Sequence, residues 1–323
     1  MTAPIFMRRL PLLLILALCN AVGISSLSAA IRKDTFTFDP ANNLKLTRVT
    51  DSDALSRTSA NPCIIFAFGG GFSHGDRDDA RYDEFVSFMA RQGYVVCSID
   101  YRTTLGSFTP TESGIAALGE FGEALVEAVE TATEDFLTAT GFVLSKAREW
   151  NVSPDAIIAS GSSAGAITAL QAESVIQSPY CPEGLPKGFN YAAVVSFAGA
   201  ILSEGEPANL DAFCPVMLFH GDADCQVPYN KLTAGPMGLY GSLYLAERFK
   251  SAGKEGAFHM EKGATHEMAL RPMKENLFDI AGFLSQVLSG RTSDYEWTVV
   301  TVPGRASYKT DFTIYDYIRS NLP

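Results

Sequence analysis

Hydrophobic and polar positions alternate over 35–38 and again over 44–50, the two-residue period of strands with one face in water. Together they predict an antiparallel edge. From Cys63 onward the pattern changes to short unbroken apolar runs at 63–68, 94–99, 156–159, 192–197 and 216–219, with a weaker one at 257–260. Each run ends at Gly, Asp or His, and helical stretches separate them. Strands buried on both faces read this way, and their alternation with helices predicts a mostly parallel sheet of about eight strands with helices on both faces.

The clearest helix spans 120–150, where Phe121, Leu125, Val129, Ala132, Phe136, Val143, Ala147 and Trp150 fall near helical spacing. Between Arg102 and Glu120 a Gly-, Thr- and Ser-rich stretch around Pro110 has no period, which predicts a loop over the carboxyl edge of the sheet. The tail, 291–323, is rich in aromatic residues (Tyr295, Trp297, Tyr308, Phe312, Tyr315, Tyr317), so it is expected to pack on the domain or at an oligomer interface.

Residues 1–30 are set apart by their own pattern. Arg8 and Arg9 precede the apolar run 10–19, and a small-residue stretch ends at Ser28, Ala29 and Ala30, as in a secretory signal peptide. The run is too short to span a bilayer stably. Leu16-Ala17-Leu18-Cys19 also resembles a lipobox, with Leu18 departing from the small residue expected before the cysteine, so lipid anchoring through Cys19 is the alternative to cleavage after Ala30. Either route predicts a periplasmic or secreted protein with one domain over 31–290.

A chain of 323 residues with 47% hydrophobic and 19% charged positions can bury one large core. The net charge of −11 becomes more negative once Arg8 and Arg9 are lost with the leader. Such a surface argues against nucleic acid or anionic lipid as partners. Beyond Cys19 the chain has Cys63, Cys97, Cys181, Cys214 and Cys225, an odd number that leaves at least one outside any internal disulfide. Cys63 and Cys97 lie in apolar runs and read as small buried hydrophobes. No pair has metal-ligand spacing, so neither a metal nor another cofactor is expected.

The most specific chemistry is Gly161-Ser162-Ser163-Ala164-Gly165, placed between the run 156–159 and a helical pattern over 167–175. A strand, a tight turn and a helix are the setting in which GxSxG presents a serine nucleophile, and the frame selects Ser163. A serine hydroxyl needs a base to take its proton and an acid to orient that base. On a sheet of this kind the order is Ser, then Asp or Glu, then His. The run 216–219 leads into His220-Gly221-Asp222-Ala223-Asp224, which makes Asp224 the candidate acid with Asp222 in reserve. That order excludes His74 and His220 as the base. His259 lies inside a strand-like run, whereas His266 follows it in a loop and is the candidate base.

Through these motifs together, the chain resembles the α/β-hydrolase-fold serine hydrolases, especially the carboxylesterase and acetyl or feruloyl esterase-like branch. The resemblance runs from about Cys63 to Leu288 and rests on FGGGF at 68–72, IDYR at 99–102, GSSAG at 161–165, HGDADCQVP at 220–228 and GATHE at 263–267. It implies that Gly70, Gly71 and Ala164 donate backbone N–H groups to an oxyanion. Two departures stand out: Phe68 replaces the histidine that starts HGGG in many esterases, and 103–120 lacks the proline-rich pattern that commonly follows DYR. The implied substrate is a small-molecule or carbohydrate-linked acyl ester. An exopeptidase using the same triad, or a catalytically silent hydrolase fold that binds a partner, are the competing readings. Oligomeric state stays open.

Overall fold

The computed structural model describes residues 31–56, 58–112, 115–178, 184–291, 294–301 and 309–321. Residues 1–30, where a leader is expected, and Cys181 lie outside the described residues. Strands β1 (Ile31–Asp39) and β2 (Leu44–Asp51) form the hairpin expected from their alternation. β3 (Asn61–Ala67), β4 (Val95–Ile99), β5 (Val152–Ser162), β6 (Ala193–Phe197) and β8 (Val216–Gly221) are the unbroken apolar runs, and nearly all their residues are buried. β7 (Ala200–Glu204), β9 (Lys231–Ala234) and β10 (Met237–Gly241) form a separate antiparallel sheet, and β11 (Gly256–Lys262) and β12 (Glu296–Thr301) complete the strands.

The main sheet has nine strands, one more than the periodicity suggests, in the order β1-β2-β4-β3-β5-β6-β8-β11-β12. The ninth is β12, which pairs parallel with β11 through Trp297 opposite Phe258. Residues of the tail thus extend the sheet, and Trp297 meets the Phe258 ring edge-on at 5.0 Å. Pairing is parallel from β4 to β12, while β1 and β2 make the antiparallel edge.

Helices α1 (Asp83–Arg91), α2 (Ile115–Trp150), α3 (Ala164–Ile176), α4 (Ser242–Ser251), α5 (Pro272–Glu275), α6 (Leu277–Leu288) and α7 (Ile314–Asn321) supply the crossovers and the tail. α2 packs on α3, whereas α1 packs on α5 and α6, so helices cover both faces of the sheet. α2 starts at Ile115 rather than near 120, and the remainder of the loop before it holds a 3-10 turn, Thr104–Ser107. That loop lies on the glycine-rich segment after β3, with the Leu105 N–H donating to Phe72 O at 3.0 Å.

This strand order decides where a site can form. After β3 the chain steps outward to β4, then crosses back through α2 to β5 and continues the other way to β6. The carboxyl ends of β3 and β5 therefore flank the point where the order reverses, and a crevice opens there because successive loops leave in opposite directions. β3 runs into the glycine loop and β5 into GSSAG.

Candidate active site

At the end of β5 the chain turns into α3 through Ser163, which has φ 53° and ψ −119°. A non-glycine residue at this φ is strained, and it persists only where its surroundings over-determine it. They do so here: the Ser163 N–H donates to Phe197 O at 2.8 Å, and Ser163 O accepts from the N–H groups of Ala166 and Ile167. Gly165 has backbone atoms of Ala67 and Phe68 where a Cβ would sit, so only glycine lets α3 approach β3 this closely.

The structure brings Ser163, Asp224 and His266 together from three separate elements. His266 opens a 3-10 turn (His266–Ala269) after β11, and Asp224 lies in the loop after β8. His266 Nδ1 is 2.7 Å from Asp224 Oδ2, and His266 Nε2 is 2.8 Å from Ser163 Oγ. An ionised carboxylate can only accept, so Nδ1 carries the proton and Nε2 accepts from the Ser163 hydroxyl. The tautomer is the one that proton removal from Ser163 requires.

Asp224 is fully buried. Burial by itself pushes its carboxyl up, but the charges and hydrogen bonds of His266 and His220 outweigh that and hold it well below the usual carboxylate range. Its Oδ1 accepts from the Gln226 and Val227 N–H groups at 2.8 and 3.0 Å, which fixes the carboxylate plane. The other sequence candidates separate cleanly. Asp222 braces the His266 side of the cleft by accepting the Gly263 N–H at 2.6 Å. His259 stays in β11 with its ring 5.4 Å from Phe219, and burial lowers its basicity. His74 is exposed and bonded to the Ser73 hydroxyl.

His220 has a part that chain order could not reveal. It is fully buried, with Nε2 at 3.3 Å from both Asp224 Oδ2 and Val227 O, and Nδ1 at 2.8 Å from Ser242 Oγ. Both groups facing Nε2 can only accept, so this nitrogen carries a proton, which is hydrogen-bonded to Val227 O beside the acid. The four-residue spacing of His220 and Asp224 in HGDAD was the available signal. Exclusion of His220 as the base left no role to look for.

Gly70 and Gly71 follow β3 with φ of 154° and 59°, and among the described residues no group accepts from the N–H of Gly70, Gly71 or Ala164. The adjacent Gly69 N–H is already taken by Tyr82 Oη at 2.9 Å. Gly69 itself lies against Ser162 and Ser163.

The missing brace at Phe68 is replaced by aromatic packing. Its ring stacks on Tyr101 at 4.4 Å, and Tyr101 Oη donates to Phe68 O at 2.8 Å. The motif residues around Tyr101 are structural ties. Asp100 holds Arg77 through two contacts of 2.8 and 2.7 Å, and Arg102 grips the buried Asp135 of α2 with Nη2 at 2.7 Å. The charged stretch after the glycines thus contributes one arginine to the sheet edge, while Asp79 caps the short turn before α1 by accepting the Arg81 N–H. Cys63 and Cys97 are buried thiols with sulfurs 3.9 Å apart; Cys214 is buried and Cys225 half-buried, and none is in a disulfide among the described residues.

No protein-family model matches the chain, and no curated protein does. Among solved structures the chain is similar to Thermogutta terrifontis esterase 2. The apo form of that protein shares 22% identity at a TM-score of 0.55, over 81% of this chain and 96% of that one. Its native structure gives 20%, 0.57, 81% and 94%. The form phosphorylated by paraoxon gives 20%, 0.56, 81% and 95%. Similarity at this identity is similarity of fold, and with the strand order and helix placement it makes this an α/β-hydrolase fold.

Proposed function

We propose that this protein is a serine hydrolase that cleaves carboxylic esters with short acyl groups through an acyl-enzyme. One observation carries the reading: a strained Ser163 whose hydroxyl donates to His266 Nε2 at 2.8 Å, with Nδ1 of the same ring held by buried Asp224 at 2.7 Å. Strain at a residue joined to a histidine–carboxylate pair serves no packing purpose, which argues against a silent fold.

Ser163 Oγ attacks the ester carbonyl as its proton moves to His266 Nε2. Asp224 stabilises the imidazolium, and the N–H groups of Gly70, Gly71 and Ala164 receive the negative charge on the carbonyl oxygen. The tetrahedral adduct collapses, His266 passes its proton to the leaving alcohol, and the acyl group stays on Ser163. Water, deprotonated by His266, then releases the acid and restores the serine.

Short acyl groups are favoured by analogy with structures of Thermogutta terrifontis esterase 2 described as propionate bound and butyrate bound. Acyl groups carried on polysaccharide fit an exported, acidic protein, and the leader at 1–30 supports export. The test is a panel of aryl esters from acetate to octanoate, with acetylated and feruloylated sugars and a dipeptide amide included. Turnover of the short esters, with labelling of wild type but not Ser163→Ala by a fluorophosphonate, is expected. Faster cleavage of the amide than of any ester would replace this reading by the exopeptidase one, and an unlabelled wild type would leave a binding protein.

A further inference from the structure

One turn of α7 holds three successive carbonyls of the loop that carries Asp224. Tyr317 Oη donates to Asp224 O at 3.3 Å, Ser320 Oγ donates to Cys225 O, and Asn321 Nδ2 donates to Gln226 O at 3.0 Å. Positions i, i+3 and i+4 share one helix face, so a single side of α7 makes all three contacts. Tyr317 is buried in making its contact. The same loop is fixed from within, where Asp224 Oδ1 accepts the N–H groups of Gln226 and Val227. Donors are thus satisfied by the carboxylate and acceptors by the tail.

The start of α7 is itself anchored. Asp316 Oδ2 accepts from the Thr313 N–H and hydroxyl at 2.7 and 2.8 Å and pairs with Lys309 at 2.7 Å, and the Phe312 ring packs edge-on to Tyr317 at 5.7 Å. An eight-residue helix is marginal in isolation. Here its polar face is spent on the acid loop, more than ninety residues away in sequence.

Resting on the ester-hydrolase reading, we propose that α7 is a clamp that positions the catalytic acid, with Tyr317, Ser320 and Asn321 as its positioning residues. None of them reaches the reacting atoms. They set where the loop's main chain lies and so where Asp224 Oδ2 meets His266. A misplacement of about 1 Å at such a contact can cost about 10²-fold in rate. The groups facing the Asp224 carboxylate are His266 from the turn after β11 and His220 from β8, and Tyr317 and Cys225 flank its main chain.

The test uses the full chain carrying Tyr317→Phe, Ser320→Ala and Asn321→Ala together, with Tyr315→Ser on the exposed side of α7 as control. Active sites are counted by the fluorophosphonate burst, so turnover is read per competent serine. The triple variant is expected to lose about 10-fold in kcat with little change in KM. Amide exchange at Gln226 and Val227 should quicken by about 10-fold, and the control should match wild type in every measure.

A triple variant with unchanged kcat per site would overturn the proposal, as would activity lost only in step with the burst. Unchanged exchange at Gln226 and Val227 would overturn it as well, and that readout needs no turnover. Failure of the ester-hydrolase reading shows separately, as wild type that neither turns over nor labels.

Discussion

Ser162 Oγ donates to Ala269 O at 2.7 Å, tying the turn that presents Ser163 to the turn that presents His266. The hydroxyl is buried, and the two residues are 107 positions apart. Ser162→Ala strands the Ala269 carbonyl, which should cost about 1–3 kcal/mol of stability. It should also lower kcat by about 10-fold, because the turns that carry Ser163 and His266 lose a direct tie. Urea denaturation and steady-state kinetics on one preparation check both.

Ser163→Ala, His266→Ala and Asp224→Asn should each reduce kcat by roughly 10⁴-fold or more, and a double variant should lose little beyond the worse single. Additive losses would mean that the three residues do not act as a unit.

Acidification tests Asp224 through stability. Its folded carboxyl titrates well below the unfolded value of about 3.9, so its contribution is present above that pH and is lost as pH falls toward the folded value. The stability gap between wild type and Asp224→Asn should therefore narrow as pH falls below about 4. Thermal unfolding of both proteins across about pH 2 to 5 measures it, and a gap that widens below about pH 4 would contradict the assignment.

His220→Gln keeps an N–H near the acid, whereas His220→Leu removes it. The glutamine variant should retain activity within about 10-fold, and the leucine variant should lose more, since buried Asp224 would face an apolar side chain where His220 Nε2 lies 3.3 Å away. Circular dichroism and active-site titration separate misfolding from misplacement.

Tyr101→Phe and Tyr82→Phe each remove one hydroxyl that pins the glycine loop. Deleting an oxyanion donor outright costs about 10²- to 10³-fold in kcat, so loosening its loop should cost less, about 10-fold for each hydroxyl. KM should change little, because the donors act on charge that develops only in the transition state. The Tyr101 variant keeps the stacked ring on Phe68, which isolates the hydroxyl from the packing.

The buried strands and the turn that presents Ser163 are legible in the chain. β3, β4, β5, β6 and β8 were legible because strands buried on both faces must be continuously apolar, and Ser163 because a turn this tight requires Gly161 and Gly165 around it. Chain order then singled out Asp224 and His266. What holds them arises from long-range packing. β7, β9 and β10 are four or five residues each, and β7 meets the β9–β10 hairpin only across a long connection, while β12 lies beyond α6 with no buried period of its own. His220 acts through a carboxylate that a folded loop returns to it, and Phe68 is braced by a tyrosine 33 positions away. The physical reason is common to these cases. Periodicity and turn chemistry record what a residue needs from its neighbours in the chain, whereas a hydrogen bond between distant loops exists only once the core has set both in place.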